Sequence, residues 1–441
     1  MRLTAPDHIV GFLSFTPDCC EHLDPIRKFS PRKWRRVLQW LDDTGLAFYF
    51  LQKLKDTDAT RGIPAPVLAR LEQNLAANQQ RMEALGQRFN LVNQRFNDAG
   101  LRYAVVKGFS LVPEFCPVAS LRYQADLDYL LDEASWAAAP SVLLEMGYRL
   151  RDPRSAKELI FLTPDGRPSR SADQYTAEAP HAVELHLDMW DSGLHRVPAM
   201  EKLLLVSRTS TREWSGFRFP AFTDEDAFLL QVLHTSRHLF TYWIRTACLY
   251  EIAYFLNRRS SDAELWNRVK QRVGENLVLR ELVVVTAELV TQLFSVPLPG
   301  LVRAWGRQVR PATRIWIDCY ARDCALSDLP AYHLSLFPKS KLALFLHQQF
   351  DDPEEPETLV HTRIVTMSRV KLIVAALKKE PALMWNRKWW KQHLLLRRTI
   401  FHAMAGARYL YEIPRWRWRN WKAARSARLD MVATETNYRV T

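Results

Sequence analysis

Tyr103-Ala104-Val105-Val106-Lys107-Gly108 and, further on, Asp126-Leu127-Asp128-Tyr129-Leu130-Leu131 decide how this chain is read. Both are short runs rich in branched and aromatic residues, which suit strands. The first predicts a strand over 102–106, closed by Lys107-Gly108, with a short helix over 109–115 after it. In the second, side chains alternate, so Asp126 and Asp128 project from one face while Leu127 enters the core. A helix over 134–146 ending at Gly147, a third strand at 158–162, a polar loop with Pro164-Asp165-Gly166 and a fourth strand at 183–188 complete the pattern. The expectation is an α+β fold: a small mixed sheet, in a unit of about 110 residues, embedded in a predominantly helical protein.

Residues 32–55 read as one or two amphipathic helices. Leu68, Leu71, Leu75, Met82, Leu85, Phe89, Val92 and Phe96 then recur at steps of three and four, with Asn78 at the one polar position. This is a helical period sustained for roughly 43 Å. One stripe packed on its own domain is favoured over a coiled-coil dimer, and Gly100 suits a left-handed cap. Downstream, Thr223-Asp224-Glu225-Asp226 has capping-box spacing and opens a helix to about residue 240. Helices predominate to 302 and again from 311, and 351–357 reads as an acidic, proline-broken linker. The expected division is a helical region over 1–100, the α+β unit over 101–215, a helical domain over 216–345, and the linker with a basic, Trp-rich helical region over 346–441.

At 48% hydrophobic and 25% charged residues the chain has a globular composition. Its net charge of +13 is concentrated: 378–428 carries fourteen Lys and Arg against Glu380 and Glu412. Six scattered cysteines without CxxC pairs disfavour a disulfide scaffold and a structural zinc site. The N-terminus makes a poor signal peptide, and the most apolar stretch, 282–302, contains Glu288 and two prolines, fitting a buried helix and a turn. The expected location is cytoplasmic, with no transmembrane segment.

Two carboxylates side by side on a strand repel unless a cation lies between them, and Mg²⁺ is commonly held by one or two carboxylates with substrate phosphates. Val183-Glu184-Leu185-His186-Leu187 alternates in the same way, with Glu184 and His186 facing away from the core. If the two strands are neighbours, Glu184 supplies a third carboxylate to a two-metal phosphoryl-transfer site. A lone DxD is also compatible with a solvated strand end. Lys107-Gly108 offers a cation and backbone amides to phosphates, or is simply the end of its strand. Arg122 either bridges to Asp126 or binds phosphate, and His186 is either a donor behind the carboxylates or a partly buried strand residue. His234 and His238 are four apart on a helix, with no third ligand evident, so packing or an acceptor pocket is favoured over zinc.

The ordered set Tyr103-Ala104-Val105-Val106-Lys107-Gly108, Leu121-Arg122, Asp126-Leu127-Asp128-Tyr129-Leu130-Leu131 and Glu184-Leu185-His186 resembles the bacterial uncharacterised nucleotidyltransferase family, within the polymerase-β-like superfamily. The resemblance covers roughly residues 30–345, including the long helix before the KG strand and the histidine-bearing helix at 226–240. It implies that Asp126 and Asp128 bind Mg²⁺ and the NTP and that Glu184 completes the catalytic metal site, with Mn²⁺ as the alternative ion. It also implies that Lys107, Gly108 and Ser110 lie near the phosphates. Two features depart from the wider superfamily: Phe109 separates Gly108 from Ser110, and the interval from Gly108 to Asp126 is long. The implied activity moves an NMP, with ATP among the donor nucleotides, to a hydroxyl or amine of a small-molecule, protein or RNA acceptor. The rival is a catalytically inactive, nucleotidyltransferase-like binding protein acting through its basic end. There, six tryptophans interleave with the cations of 378–428, a composition that suits nucleic acid, an anionic membrane surface, or packing on the protein itself.

Overall fold

In a computed structural model of the chain, the structure describes residues 3–151, 157–163, 175–177, 181–190, 203–241, 245–326, 410–412, 414–423 and 425. The acidic linker at 351–357, the loop at 164–166 and most of 378–428, with Trp385, Trp389 and Trp390, lie outside them. The chain divides into two compact units, Met1–Ser236 with Arg245–Gln308, and Arg237–Ile244 with Val309–Thr441.

The first unit opens with helices α1 (Ala5–Phe12), α2 (Leu23–Arg27), α3 (Pro31–Thr44) and α4 (Ala47–Asp56). The two-helix reading of 32–55 is the one realised. Ser30 caps α3 by accepting from the Lys33 amide, and Gly45, at φ 75°, ends it. The long apolar stripe becomes α5 (Ala65–Asp98), followed by Gly100 at φ 65°.

The sheet follows: β1 (Tyr103–Val106), β2 (Asp126–Leu131), β3 (Arg149–Leu150), β4 (Glu158–Leu162), β5 (Ala182–His186), β6 (Thr209–Trp214) and β7 (Phe217–Phe222), in the order β3-β4-β5-β2-β1-β7-β6. It is mixed: β2 runs parallel to β5 and β1 parallel to β7, while the other pairs are antiparallel. Helix α6 (Glu133–Glu145) follows β2, capped by Asp132 accepting from the Ser135 amide at 2.9 Å.

One face of the sheet is apolar. Tyr103, Val105, Leu127, Tyr129, Leu131, Phe161, Val183, Leu185, Phe219 and Ala221 join Met82, Leu85, Phe89, Val92 and Phe96 of α5 in a single buried core. The stripe that marked α5 therefore packs on its own sheet. The period of two then sends Asp126, Asp128, Glu158, Glu184 and His186 to the opposite face.

The β6–β7 hairpin, for which the sequence reading had no strands, carries the sheet on to Phe222. Its two-residue turn is Ser215-Gly216, both at positive φ, as hairpin turns of this length favour. Trp214 lies 4.1 Å from Phe109 between ring centroids, and a side chain at Gly86 of α5 would collide with its indole.

Helix α7 (Asp224–Thr241) starts where the capping-box spacing places it, but the box does not form. Thr223 Oγ1 has no hydrogen-bond partner among the described residues, while Asp224 binds Arg212 at 2.6 Å and Arg259 at 2.9 Å. Helices α8 (Thr246–Arg259), α9 (Ala263–Val273), α10 (Leu277–Phe294) and α11 (Gly300–Gly306) complete the first unit. The apolar stretch 282–302 is thus a buried helix and a turn. No helix among the described residues is long and apolar enough to cross a membrane.

Candidate active site

The parallel pairing of β2 with β5 sets the site. Its register places Asp128 directly opposite Glu184, with Asp126 opposite Ala182 and Leu130 opposite His186. Glu184 and Asp128 therefore meet on the face away from the core, and His186 reaches back along β5 to them. His186 Nε2 lies 3.1 Å from Asp128 Oδ1 and 4.0 Å from Glu184 Oε2. Ligand atoms of Asp128, Glu184 and His186 all lie within 4.8 Å of one another. Asp126 stands outside that tight group, two residues earlier on the same face.

Lys107 Nζ donates to the same oxygen, Asp128 Oδ1, at 2.7 Å. Its backbone is at φ 64° and ψ −164°, a conformation that non-glycine residues rarely adopt and that costs about 1–3 kcal/mol. Gly108 follows at φ 52°, and a Cβ there would sit 2.3 Å from Gln124 Nε2. Gln124 itself donates to the Asp126 carbonyl at 2.7 Å, so the turn after β1 is keyed to the start of β2. Ser110 is buried in the same turn and donates to the Lys107 carbonyl at 2.7 Å.

These surroundings move the acids apart. Burial alone would raise the Asp128 carboxyl, but Lys107 and the His186 hydrogen bond outweigh it and hold Asp128 well below the usual carboxylate range. Burial first, and Asp128 next, raise Asp126 above its ordinary value. Burial, reinforced by Asp128 and Asp126, pushes Glu184 up to about 8. Burial pulls against the Lys107 ammonium, yet Asp128, Glu184 and Asp126 together hold it above its usual value.

Arg122 is drawn away from Asp126 by a partner that sequence spacing did not reveal. Its Nε donates to Glu251 Oε1 of α8 at 2.9 Å, with the Glu251 side chain buried and that of Arg122 largely so. Tyr49 donates to the same oxygen at 3.3 Å, and Gln231 to Glu251 Oε2 at 3.4 Å. Arg245 donates to the Tyr123 carbonyl at 3.0 Å and lies 5.1 Å over the Tyr123 ring, with Arg81 of α5 at 5.6 Å. Together with Lys107 and Arg122, Arg245 favours the charged form of Asp126. Glu158 of β4 stands opposite His186 and adds to the negative potential on Glu184. Gln124, Glu158, Arg245 and Glu251 carry no motif; of them only Glu158 lies on a strand that the sequence predicts. His234 and His238 lie one turn apart on α7, both half-buried, and neither enters a three-ligand group among the described residues.

The donor set fits a divalent cation: two carboxylates opposite each other in register, one of them raised by burial and by its acidic neighbours, with an imidazole beside them. A family model described as "Uncharacterised nucleotidyltransferase" matches residues 30–295. No curated protein matches the chain.

Proposed function

As the chain belongs to the uncharacterised nucleotidyltransferase family, we propose that it transfers the NMP of an NTP to a hydroxyl or amine of an acceptor, with a divalent cation held by Asp126, Asp128 and Glu184. The observation that carries this reading is the β2–β5 register, which sets Glu184 across from Asp128 on one buried face. Mg²⁺, with Mn²⁺ as the alternative, would supply charge neutralisation for the phosphates and the leaving pyrophosphate.

The chain's own residues account for the rest. His186 fixes the Asp128 carboxylate through Oδ1, leaving Oδ2 for the ion. Lys107 and the amides of the strained turn at Lys107-Gly108 offer positive charge to the β- and γ-phosphates. Arg245, whose charge is felt at Asp126, extends that field along the nucleotide. Once ionised, Glu184 is the carboxylate set beside Asp128 to take the acceptor's proton. Catalysis on this reading is positioning and electrostatics.

The test is label transfer from an α-phosphate-labelled NTP over a broad acceptor panel, with thermal unfolding against each NTP with and without Mg²⁺. An NTP at a hundred times its dissociation constant stabilises the fold by about 2.7 kcal/mol. Asp126→Asn and Asp128→Asn are expected to remain folded and to lose on the order of a hundredfold or more in turnover. Absence of both Mg-NTP binding and labelling sinks the reading.

A further inference from the structure

Three tryptophans of the basic C-terminal stretch fall among the described residues, and they differ. Residues 414–423 are helical, as is the turn at 410–412. Trp416 is buried, its ring 6.0 Å from that of Tyr320, and Arg419 donates to Tyr320 Oη at 2.6 Å. That side of the helix is packed within the second unit. Trp418 and Trp421 project roughly half a turn away from Trp416, and they are 57% and 58% exposed. Leu410 and Tyr411 are exposed too, as are Pro414, Arg415, Arg417, Lys422 and Arg425. Glu412 is the one carboxylate within 410–425 and is half-buried.

The cations and rings are paired along the helix. Arg415 lies 3.8 Å over Tyr411, Lys422 5.4 Å over Trp418, and Arg425 5.4 Å over Trp421. Each exposed ring therefore carries a positive charge on one of its faces.

We propose that this face docks on an anionic membrane surface. Two indoles and a phenol, with Leu410 beside them, form an apolar centre of the kind that settles at the headgroup boundary. Cations on both flanks and over the rings stand where lipid phosphates would lie, and among the described residues of 410–425 no carboxylate is exposed. Single-stranded nucleic acid fits less well. Base stacking needs open ring faces along a groove, whereas here each ring has one face covered by its own cation, and Leu410 and Pro414 offer a base nothing. The proposal is independent of the nucleotide chemistry, since all of these residues belong to the second unit.

The experiment is flotation of the full-length protein with vesicles of phosphatidylcholine alone and of phosphatidylcholine mixed with phosphatidylglycerol. Binding is expected only to the mixed vesicles, falling as salt rises. Trp418→Ala with Trp421→Ala is expected to weaken it at least about tenfold. Arg417→Gln and Lys422→Gln are expected to weaken it about fivefold each. These side chains are exposed, so unchanged thermal unfolding checks that each variant folds. Binding that ignores lipid charge, or survives all of these substitutions, overturns the proposal. So does their abolishing binding to a polyuridine strand while vesicle binding persists, which would assign the face to nucleic acid.

Discussion

Of the charged clusters buried in the first unit, one lies against helix α8 at Arg122–Glu251 and one on the sheet. At Arg122–Glu251 the charges cancel, and Tyr49 and Gln231 complete the bonding of the carboxylate. On the β2–β5 face, Asp126, Asp128 and Glu184 all bear on the Lys107 ammonium, and both Lys107 and His186 bond to one oxygen of Asp128. The consequence is visible at Glu184, which is pushed up to about 8. Burial of charge alone therefore does not mark a site. An acid raised by like-charged neighbours marks a candidate site better, because an ion of opposite sign would relieve the repulsion.

The comparison breaks most easily at its balanced half. Glu251→Ala leaves Arg122 buried without its carboxylate and is expected to cost about 3–5 kcal/mol in chemical denaturation. A loss of well under about 1 kcal/mol would mean that Arg122 is held by something else. On the sheet face the opposite holds: Glu184→Gln puts a neutral amide where burial already holds the acid protonated below about pH 8, so the fold is expected to be no less stable while response to divalent cations disappears.

The raised acid also predicts a pH signature. The folded-state value of Glu184 lies above its ordinary 4.5, so the folded chain retains a proton that the unfolded chain releases across about pH 4.5–8. This contribution to stability is complete below that window and is lost as pH rises through about 8. A cation at Glu184 must displace the proton, so Mg²⁺ affinity is expected to rise roughly tenfold per pH unit below 8, with about one proton released. Calorimetry in buffers of different ionisation enthalpy measures both. A flat profile would detach Glu184 from the metal. The smallest effect is expected at Gly108→Ala, where the left-handed backbone costs about 1–2 kcal/mol and Gln124 must move. Nucleotide affinity should fall with it if the turn holds phosphate.

Much of this was legible in the sequence because the core imposes a period. The bounds of β2 follow its alternation and those of β4 its apolar run, α5 follows its stripe, and the facing of Asp126, Asp128, Glu184 and His186 follows from having Leu127, Val183 and Leu185 in the core. The hairpin was hidden for equally physical reasons. Thr209–Trp214 is an edge strand of largely polar residues with no buried face to print a pattern, and Pro220 sits inside β7. Register is not a property of either strand alone, so no local signal showed that Glu184 lies across from Asp128, with Ala182 beside Asp126. Glu251 escaped because its partner Arg122 is 129 positions away.

The β2–β5 pairing has a further bearing, on the order of events when the chain folds. Asp128 and Glu184 are joined through α6, β3 and β4, since parallel neighbours need a long crossover. Local pieces such as α5 or the β6–β7 hairpin can form early, but this contact closes a large loop and belongs among the slow steps. Ligand binding at the carboxylates would then appear late in refolding, after helical signal has returned, and a damaged crossover would delay it even with every site residue intact.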